Sequence, residues 1–427
     1  MNISFFNRLI PTIADECQIN LWAPRHHPTN RYSRAMPTHE SHHATAKTHN
    51  APARSTSAQS TSTQHTKPAR RTHRRLLTPP LAQKNGIDPI QLVLPQPEEL
   101  PEELTSGGRT PATIADYLIA RFYPNDPQII HARFKTGEVR LDDGTVLTID
   151  SPYMSGERIW YFRELADEPE LPSDLPILFE DEHVLAIDKP HFLPTTPRGA
   201  YIAQTALTKL RVREGNPLLI PIHRLDRPTA GVLLFAKTVE ARRPFQMMFQ
   251  HRQVSKTYRA VAPVPADPAA AEQALSTEGL LVRSHIQKVR DVLQVQQLSE
   301  AECAAQGVDP NTLTTARILE TFTPSPAKAE AWGAEPDRPW GLYELAPHTG
   351  KTHQLRAHLN LLGAPILGDV LYPRVLPDGP DRPEYRLQLL ARTLSFEHPI
   401  TGEPISLRSG RTLSAWESKN SAVQEAS

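Results

Sequence analysis

The stretch that most constrains this chain is residues 222–237, where a charged loop leads directly into an apolar segment. Four titratable side chains lie within five residues of this loop: His223, Arg224, Asp226 and Arg227. Pro228 excludes a regular helix across the loop, and the five apolar residues after Gly231 predict a buried strand. A loop fixed at the end of a buried strand holds one carboxylate among cations, an arrangement that keeps a carboxylate ionised where chemistry is required.

Length and composition exclude several classes of protein. The 427 residues suffice for two domains with extensions. Mean hydropathy is −0.44, and no apolar run approaches the roughly 20 residues needed to span a bilayer. The first residues lack the long apolar core of a secretory signal. Cys17 and Cys303 lie too far apart in the sequence to suggest a disulfide framework or a metal site, which favours a reducing compartment and predicts a cytoplasmic protein with no membrane partner.

Charge is distributed unevenly, although 47 Lys and Arg balance 47 Asp and Glu. Between Arg31 and Pro80, seven Arg and two Lys face the single Glu40. Residues 1–95, rich in Pro, Ser, Thr and His, are predicted to form a disordered basic tail. Three interpretations remain open for it: an auxiliary RNA-binding arm, a targeting peptide rich in Arg and Ser, or an extension without a role.

Residues 96–165 predict a compact module of two helices followed by a small sheet. Helical spacing of apolar residues runs from Ile114 to Phe122, and a second helix is expected at 129–134. A hairpin is expected from 139–141 and 146–149, with a last strand at 159–162. Three cations lie near the junction of these elements: Arg133, Lys135 and Arg140. This pattern is similar to the S4-like RNA-binding module.

Residues 172–415 predict a larger domain, followed by a polar tail at 416–427. Its expected strands are two within 177–190, the buried one after Gly231, and others at 256–262, 316–320, 341–345 and 387–396. Helices are expected at 205–213, at 245–249 and after residue 352, where Thr352 is the predicted cap and Gly363 the predicted end. An insertion is expected around 324–339.

Three clusters are candidates for chemistry: the loop 223–229, Tyr258 on its strand, and the basic segment 348–358. Each has a structural alternative, since loop charges can pair at a surface and a strand Tyr is commonly half-buried packing. The histidines at 348, 353 and 358 turn about 140° from one to the next on a helix. They therefore do not converge on one ion, and no metal site is expected.

The scarcity of acidic residues near the candidate motifs limits the reaction classes that the site could support. Asp226 is the only acid between Pro221 and Lys237, and none lies between Ala346 and Gly368. Glycoside hydrolysis usually needs two carboxylates, hydrolytic triads need a Ser or Cys at a sharp turn, and no phosphate-binding GxxxxGK[ST] loop is present. One carboxylate beside Arg, Lys and Tyr suits an anionic substrate, with Asp226 as nucleophile or base.

Four motifs in order resemble those of the RluA-type pseudouridine synthases. The central one is H-R-L-D-R-P-T-A-G-V-L-L at 223–234, and G-K-T-H-Q-L-R-A-H follows at 350–358. E-D-E at 180–182 leads to D-K-P at 188–190, and K-T-Y-R-A occupies 256–260. The chain departs from the family pattern at Ala230, where Ser is usual, in extra material at 263–340, and in its long tail.

The resemblance implies an α+β fold, a mixed and largely antiparallel-sheet catalytic domain that converts uridine to pseudouridine in ribosomal or transfer RNA. It implies Asp226 as the catalytic carboxylate, Tyr258 as a residue that stacks on the base or moves a proton, and Arg356 as the partner of Asp226. The expected RNA contacts are Arg224, Lys351 and His353. His223 and Arg227 are expected to be scaffold.

No metal or redox cofactor is needed for such a reaction, because the glycosidic bond is exchanged without oxidation or hydrolysis. A monomer acting on RNA is expected. The rival interpretation is a non-catalytic RNA-binding or ribosome-assembly factor that keeps the fold, although a binding protein has no use for a nucleophile. A nucleoside-level glycosidase would need a second acid near Asp226.

Overall fold

The computed structural model describes residues 79–101, 104, 110–165, 167–377 and 381–416. Most of the predicted tail, residues 1–78, and residues 417–427 lie outside this part. The predicted tail boundary at 95 is wrong, because Ile90–Val93 form a strand that pairs with the small module. No helix in the described part is long and apolar enough to cross a membrane.

A three-stranded antiparallel sheet and two helices form the N-terminal module. Its elements are β1 (Ile90–Val93), α1 (Ile114–Phe122), α2 (Pro127–Lys135), β2 (Arg140–Leu141) and β3 (Arg158–Tyr161), with sheet order β1-β3-β2. Thr113 and Asp116 form a capping box that starts α1 where the apolar spacing begins. Both predicted helices are confirmed. The predicted strand at 146–149 is wrong, since that segment makes only an isolated bridge from Val146 to Arg140.

An eleven-stranded sheet organises the rest of the described chain. Its strands are β4 (Ile177–Glu180), β5 (Val184–Lys189), β6 (Ile220–Pro221), β7 (Ala230–Ala236), β8 (Val254–Pro263), β9 (Leu280–Gln287), β10 (Gln296–Ser299), β11 (Thr312–Phe322), β12 (Trp340–Pro347), β13 (Leu389–Glu397) and β14 (Pro404–Arg408). The order is β10-β9-β11-β12-β8-β13-β7-β5-β4, with β14 beside β13 and β6 beside β7.

Within the described sheet, β7 and β13 form the one parallel pair, and the other pairs are antiparallel. Six helices cover it: α3 (Ala206–Arg213), α4 (Val239–Gln250), α5 (Pro268–Leu275), α6 (Glu300–Gln306), α7 (Pro326–Ala331) and α8 (Gln354–Leu361). The predicted fold class, α+β with a mixed and largely antiparallel sheet, is confirmed.

The strand predicted after Gly231 is packed on both faces of the sheet. All seven residues of β7 are buried. Leu233 and Phe235 pack on one face with Leu207 of α3, and Leu234 packs on the other with Phe245 of α4. A strand covered on both faces has a continuous apolar sequence, so β7 could be predicted from the sequence. Because β7 is buried on both faces, it holds the end of the preceding loop in a fixed position.

Two expectations for the second half of the domain need correction. The strand predicted at 316–320 is confirmed as part of β11, but residues 263–340 also form β9 and β10, and the three strands extend the sheet on one side. The cap of α8 is His353, in a left-handed conformation with φ 54°, and not Thr352. Gly363, with φ 64°, follows the end of α8 as predicted.

Gly231 lies where β7 meets β13 most closely, so we predict that Gly231→Ala strongly destabilises the fold. Its φ is +115°, and a Cβ there would lie 2.2 Å from the Ala391 carbonyl oxygen. We expect a loss of about 3 kcal/mol or more in the free energy of unfolding, measured by urea denaturation. Gly215→Ala is the matched control, because its φ is +59° with no neighbour within 4 Å, and should cost about 1–2 kcal/mol. Equal losses would contradict the packing argument.

Candidate active site

A cleft of about 2470 Å³ gathers the residues that the sequence singled out. Its lining includes Arg224, Asp226, Tyr258, Lys351, His353 and Arg356. They come from the loop before β7, from β8, and from the segment that starts α8. The fold therefore brings all six predicted site residues to one place, across a separation of 130 residues between Asp226 and Arg356.

The loop that carries Asp226 is fixed by its own backbone. Thr195 donates its hydroxyl to the Leu225 carbonyl at 2.8 Å and accepts from the Leu225 amide at 3.2 Å. The Thr229 amide donates to the Asp226 carbonyl at 3.0 Å, which closes the turn into β7. Leu225 is buried beside Leu233 and Phe235. The carboxylate is therefore presented from a loop with little freedom to move.

A fully buried lysine lies beneath the loop. The Lys189 ammonium donates to the carbonyls of Pro190, Leu193 and Arg227, at 2.9, 2.8 and 3.3 Å. Burial lowers the pKa of Lys189 to about 7, and the charge of Asp226 acts in the opposite direction. Three carbonyl acceptors match the three protons of an ammonium, so Lys189 joins the D-K-P segment to the loop. In the sequence, Lys189 is marked only as a member of the D-K-P motif at 188–190.

Asp226 faces a buried arginine on α8. Arg356 donates from Nη1 to Asp226 Oδ2 at 3.3 Å. Its Nε and Nη2 donate to the two carboxylate oxygens of Asp369, at 2.7 and 2.6 Å. Burial opposes the charge of Arg356, but its hydrogen bonds and the charges of Asp369 and Asp226 raise the pKa of Arg356 above its ordinary value. The guanidinium is thus a permanent cation held at a fixed position.

Asp369 is the functional residue that sequence reasoning missed. Its side chain is completely buried and also accepts from the amides of Leu371 and Tyr372, at 2.8 and 3.2 Å. Asp369 lies one residue beyond the acid-free stretch between Ala346 and Gly368. No local pattern marks it, since its role exists only through its contact with Arg356.

The two oxygens of Asp226 have different surroundings. Oδ2 faces Arg356 and lies 3.8 Å from Nε2 of His353. Oδ1 has no hydrogen-bond partner among the residues that the structure describes, and the side chain is 35% exposed. One oxygen is therefore held by the protein, and the other is available to a bound molecule.

The remaining predicted residues differ in exposure. Tyr258 is half-buried, and burial together with the charge of Asp226 raises the pKa of Tyr258 to about 12, so its hydroxyl keeps its proton at neutral pH. Burial lowers the pKa of His353, and the charge of Asp226 opposes this shift. Arg224 and Lys351 are exposed at the edge of the cleft.

His223 and Arg227 contact the scaffold, as predicted. Nε2 of His223 accepts from the Leu234 amide at 3.2 Å, and its ring stacks on Phe249 at 4.8 Å. Arg227 forms an ion pair with Asp381 and donates to the Tyr201 hydroxyl at 3.2 Å. Both side chains thus fix the walls of the cleft.

The other two histidines of the 348–358 segment point to different partners. Nε2 of His348 lies 2.9 Å from the Thr315 hydroxyl, while Nε2 of His358 lies 2.9 and 3.0 Å from the hydroxyls of Ser284 and Thr312. The predicted divergence of these residues is confirmed.

Two of the three cations near the junction of the small module are engaged in contacts with neighbouring residues. Arg133 forms ion pairs with Glu138 and Glu164, at 2.8 and 2.6 Å. Arg140 donates to the Gly137 and Pro80 carbonyls. Lys135 is exposed.

Comparison with known proteins identifies the class. The model of the RNA pseudouridylate synthase family matches residues 183–361, which contain Asp226, Tyr258 and Arg356. An uncharacterized RNA pseudouridine synthase of Synechocystis is 30% identical over 257 residues, covering 60% of this chain and 78% of that protein. The ribosomal large subunit pseudouridine synthase D of Xanthomonas campestris is 29% identical over 307 residues, covering 68% and 83%.

A tRNA pseudouridine synthase C of Pasteurella multocida is 30% identical over 244 residues, covering 55% of this chain and 91% of that protein. Among solved structures, human RNA Pseudouridylate Synthase Domain Containing 1 matches with a TM-score of 0.41 and 24% identity, covering 57% of this chain and 86% of that one. The chain belongs to the RNA pseudouridine synthase family, whose members are isomerases.

The neutral state of His223 predicts a specific acid sensitivity. Burial, aided by the nearby charge of Lys256, lowers the pKa of His223 from 6.5 to about 3. The unfolded chain therefore binds a proton that the folded chain does not, so this stability is present above pH 6.5 and is lost as pH falls towards 3. When the pH is lowered from about 7 to about 5, we expect the free energy of unfolding, measured by urea denaturation, to fall by about 1–2 kcal/mol more in the wild type than in His223→Gln. The glutamine side chain keeps an acceptor for the Leu234 amide. Parallel curves would contradict this expectation.

Proposed function

We propose that this protein isomerises specific uridines to pseudouridine in ribosomal or transfer RNA, with Asp226 as the catalytic carboxylate. The observation that carries the proposal is the Asp226 carboxylate in the cleft, with Oδ2 paired to Arg356 and Oδ1 free of protein partners in the described chain. The substrate classes follow from the relatives, whose names specify large-subunit ribosomal RNA and tRNA.

The cleft suits a nucleotide taken out of its stack. Enzymes that act on a base within structured RNA must extrude it into a pocket, at a cost of a few kcal/mol. A volume of about 2470 Å³ leaves room for the flipped nucleotide and the adjoining backbone. Arg224 and Lys351, exposed at the edge, are the proposed contacts to RNA, where they offset the repulsion between the phosphates and Asp226.

The free oxygen of Asp226 then performs the first step. It attacks the ribose or removes a proton from it, and the bond between the ribose carbon and N1 of uracil breaks. The uracil rotates and its C5 bonds to the ribose carbon; this displaces Asp226 if Asp226 attacked the ribose, and the abstracted proton returns to the ribose if Asp226 acted as base. C5 then loses its proton and N1 gains one. One carbon–nitrogen bond is exchanged for one carbon–carbon bond, with no net oxidation. Arg356 balances the charge of Asp226 before and after the reaction.

Tyr258 is proposed to stack on the base and not to move a proton. Its pKa of about 12 makes it a poor base at neutral pH, and its ring is held by apolar neighbours in two core clusters. Aromatic stacking stabilises an unstacked base by about 1–3 kcal/mol.

The rival functions lack support in the site. A nucleoside-level glycosidase needs a second available acid, but Asp369 is buried and bound to Arg356 through both oxygens, and Asp381, which also lines the cleft, is paired with Arg227. A non-catalytic RNA-binding factor does not require this buried pair behind an open carboxylate.

Several broader expectations are carried into the proposal. The small module is proposed as an S4-like RNA-binding unit in which Lys135, exposed in the structure, is the available cation. A cytoplasmic monomer composed of the module, a catalytic domain from about residue 172, and flanking tails remains a prediction.

Asp226→Asn is the decisive substitution for the proposed function. Removing the nucleophile should lower pseudouridine formation roughly a thousandfold or more, while RNA affinity persists because Arg224 and Lys351 are intact. Pseudouridine mapping across total RNA from cells carrying each form measures the outcome and names the modified uridine. Asp167→Asn, exposed and outside the cleft, is the matched control. A variant that binds RNA and loses no modified site would exclude the proposal.

Substitutions of Tyr258 separate stacking from proton transfer. Tyr258→Phe keeps the ring and should retain activity within a fewfold. Tyr258→Leu removes the stacking surface and should reduce activity by about 5- to 150-fold, the equivalent of one lost stack. Single-turnover rates on RNA that contains the mapped uridine provide the measurement. A Phe variant as impaired as the Leu variant would instead assign the hydroxyl a proton-transfer role.

A further inference from the structure

We propose that Tyr372 is a positioning residue that fixes the tautomer of His353, so that the imidazole presents its Nε2 proton to Asp226. The inference rests on the proposed role of Asp226 and gives His353 a role in place of the expected RNA contact. It is drawn from four residues in contact: Val295, Tyr372, His353 and Asp226.

Tyr372 is held on every side. Its backbone amide donates to Asp369 at 3.2 Å, its ring lies 5.5 Å from the Arg356 guanidinium, and the side chain is buried. The Val295 amide donates to its hydroxyl at 2.9 Å, and Nδ1 of His353 lies 3.3 Å from the same oxygen. Because the amide supplies its own proton to the oxygen, the phenolic proton is directed to Nδ1.

The contact with Tyr372 thereby selects one tautomer of the neutral His353 imidazole. With Nδ1 as acceptor, the neutral ring carries its proton on Nε2, which lies 3.8 Å from Oδ2 of Asp226. The other tautomer would turn a lone pair towards a carboxylate. The ring has little room to rotate, since the side chain is only 13% exposed and the residue caps α8 with φ 54°.

This arrangement affects the oxygen that reacts. A neutral N–H and the Arg356 guanidinium both face Oδ2, so Oδ1 is the oxygen left for the ribose. Protonating His353 would add a second cation beside Asp226 and weaken it as nucleophile or base. The charged groups that act on His353 are Asp226, Arg356, Asp369 and Lys288. The Tyr372 proton occupies the Nδ1 lone pair and so disfavours that protonation.

The arrangement also connects the β9–β10 hairpin to the site. Val295 directly precedes β10, within residues 263–340, which the sequence motifs predicted to be additional to the family pattern. Gln294 reinforces the contact by donating to the carbonyls of Leu371 and Pro373. This extra region is therefore part of the support for Asp226.

Nitrogen NMR on the full chain with labelled histidine tests the proposal directly at neutral pH. His353→Gln assigns the signal by its disappearance. We expect a protonated Nε2 and an unprotonated Nδ1 for His353, and loss of that preference in Tyr372→Phe. A proton on Nδ1 in the wild type would overturn the proposal.

Kinetics provide the second readout. Tyr372→Phe should lower the single-turnover rate roughly three- to tenfold, with RNA affinity unchanged, and should move the acidic limb of the pH–rate profile to higher pH. Tyr343→Phe is the matched control, because it removes one buried hydrogen bond, to Pro263 at 2.7 Å, from a side chain that does not line the cleft. Its profile should not move. An unmoved limb in Tyr372→Phe, or a shift common to both variants, would reduce Tyr372 to a structural role.

Failure of this inference is distinguishable from failure of the proposed function. If Asp226→Asn still forms pseudouridine, the catalytic role of Asp226 is excluded, whereas the tautomer of His353 is measured without any turnover. If His353→Gln weakens RNA affinity and leaves the rate of the bound complex unchanged, His353 is an RNA contact and the positioning role is wrong.

Discussion

The buried ion pair between Arg356 and Asp369 is the interaction on which the site depends. Two hydrogen bonds join the side chains, and both are almost completely removed from solvent. Such a pair gains little net stability, because desolvation offsets its attraction, but leaving one member alone is strongly unfavourable. The pair therefore holds α8 and the segment after Gly368 in one arrangement. It also leaves Nη1 of the guanidinium free of Asp369, and an N–H of that nitrogen is directed at Asp226.

The opposite wall of the site, the loop before β7, is held mainly by hydrogen bonds to backbone, together with the Arg227–Asp381 ion pair. β7 is buried on both faces, and its preceding loop is tied through Thr195, Thr229 and Lys189 to neighbouring backbone. Backbone carbonyls and amides are good anchors, because a point substitution does not remove them. Asp226 is thus placed by a rigid strand on one side and a rigid cation on the other. Preorganisation of this kind avoids reorganisation when charge moves during a reaction.

The sequence alone predicts an element correctly where its local pattern agrees with its tertiary environment. The apolar run of β7 and the leucine spacing of α8 each fix one element, and family motifs marked Asp226, Tyr258 and Arg356. The strand at Ile90–Val93 was missed because its alternation is short and follows a basic, proline-rich segment. β9 and β10 were missed because they are near an edge of the sheet and mix polar with apolar residues. Asp369 and Tyr372 have no local signature, since their roles exist only through contacts with Arg356 and His353.

The distribution of charge in the cleft indicates why Asp226 is supported both by the Arg356–Asp369 pair and by the loop before β7. Two groups near Asp226 are neutral, since Tyr258 retains its proton and burial favours an uncharged His353, whose Nε2 lies 3.8 Å from the paired oxygen Oδ2. The cations lie behind the carboxylate, in Arg356 and Lys189, or at the exposed edge, in Arg224 and Lys351. A cation directly beside the free oxygen would screen it from the ribose, and the absence of any cation would let phosphates and carboxylate repel each other. Placing Arg356 against the paired oxygen Oδ2 and other cations at the exposed edge, with no hydrogen-bonded cation on Oδ1 in the described chain, satisfies both requirements.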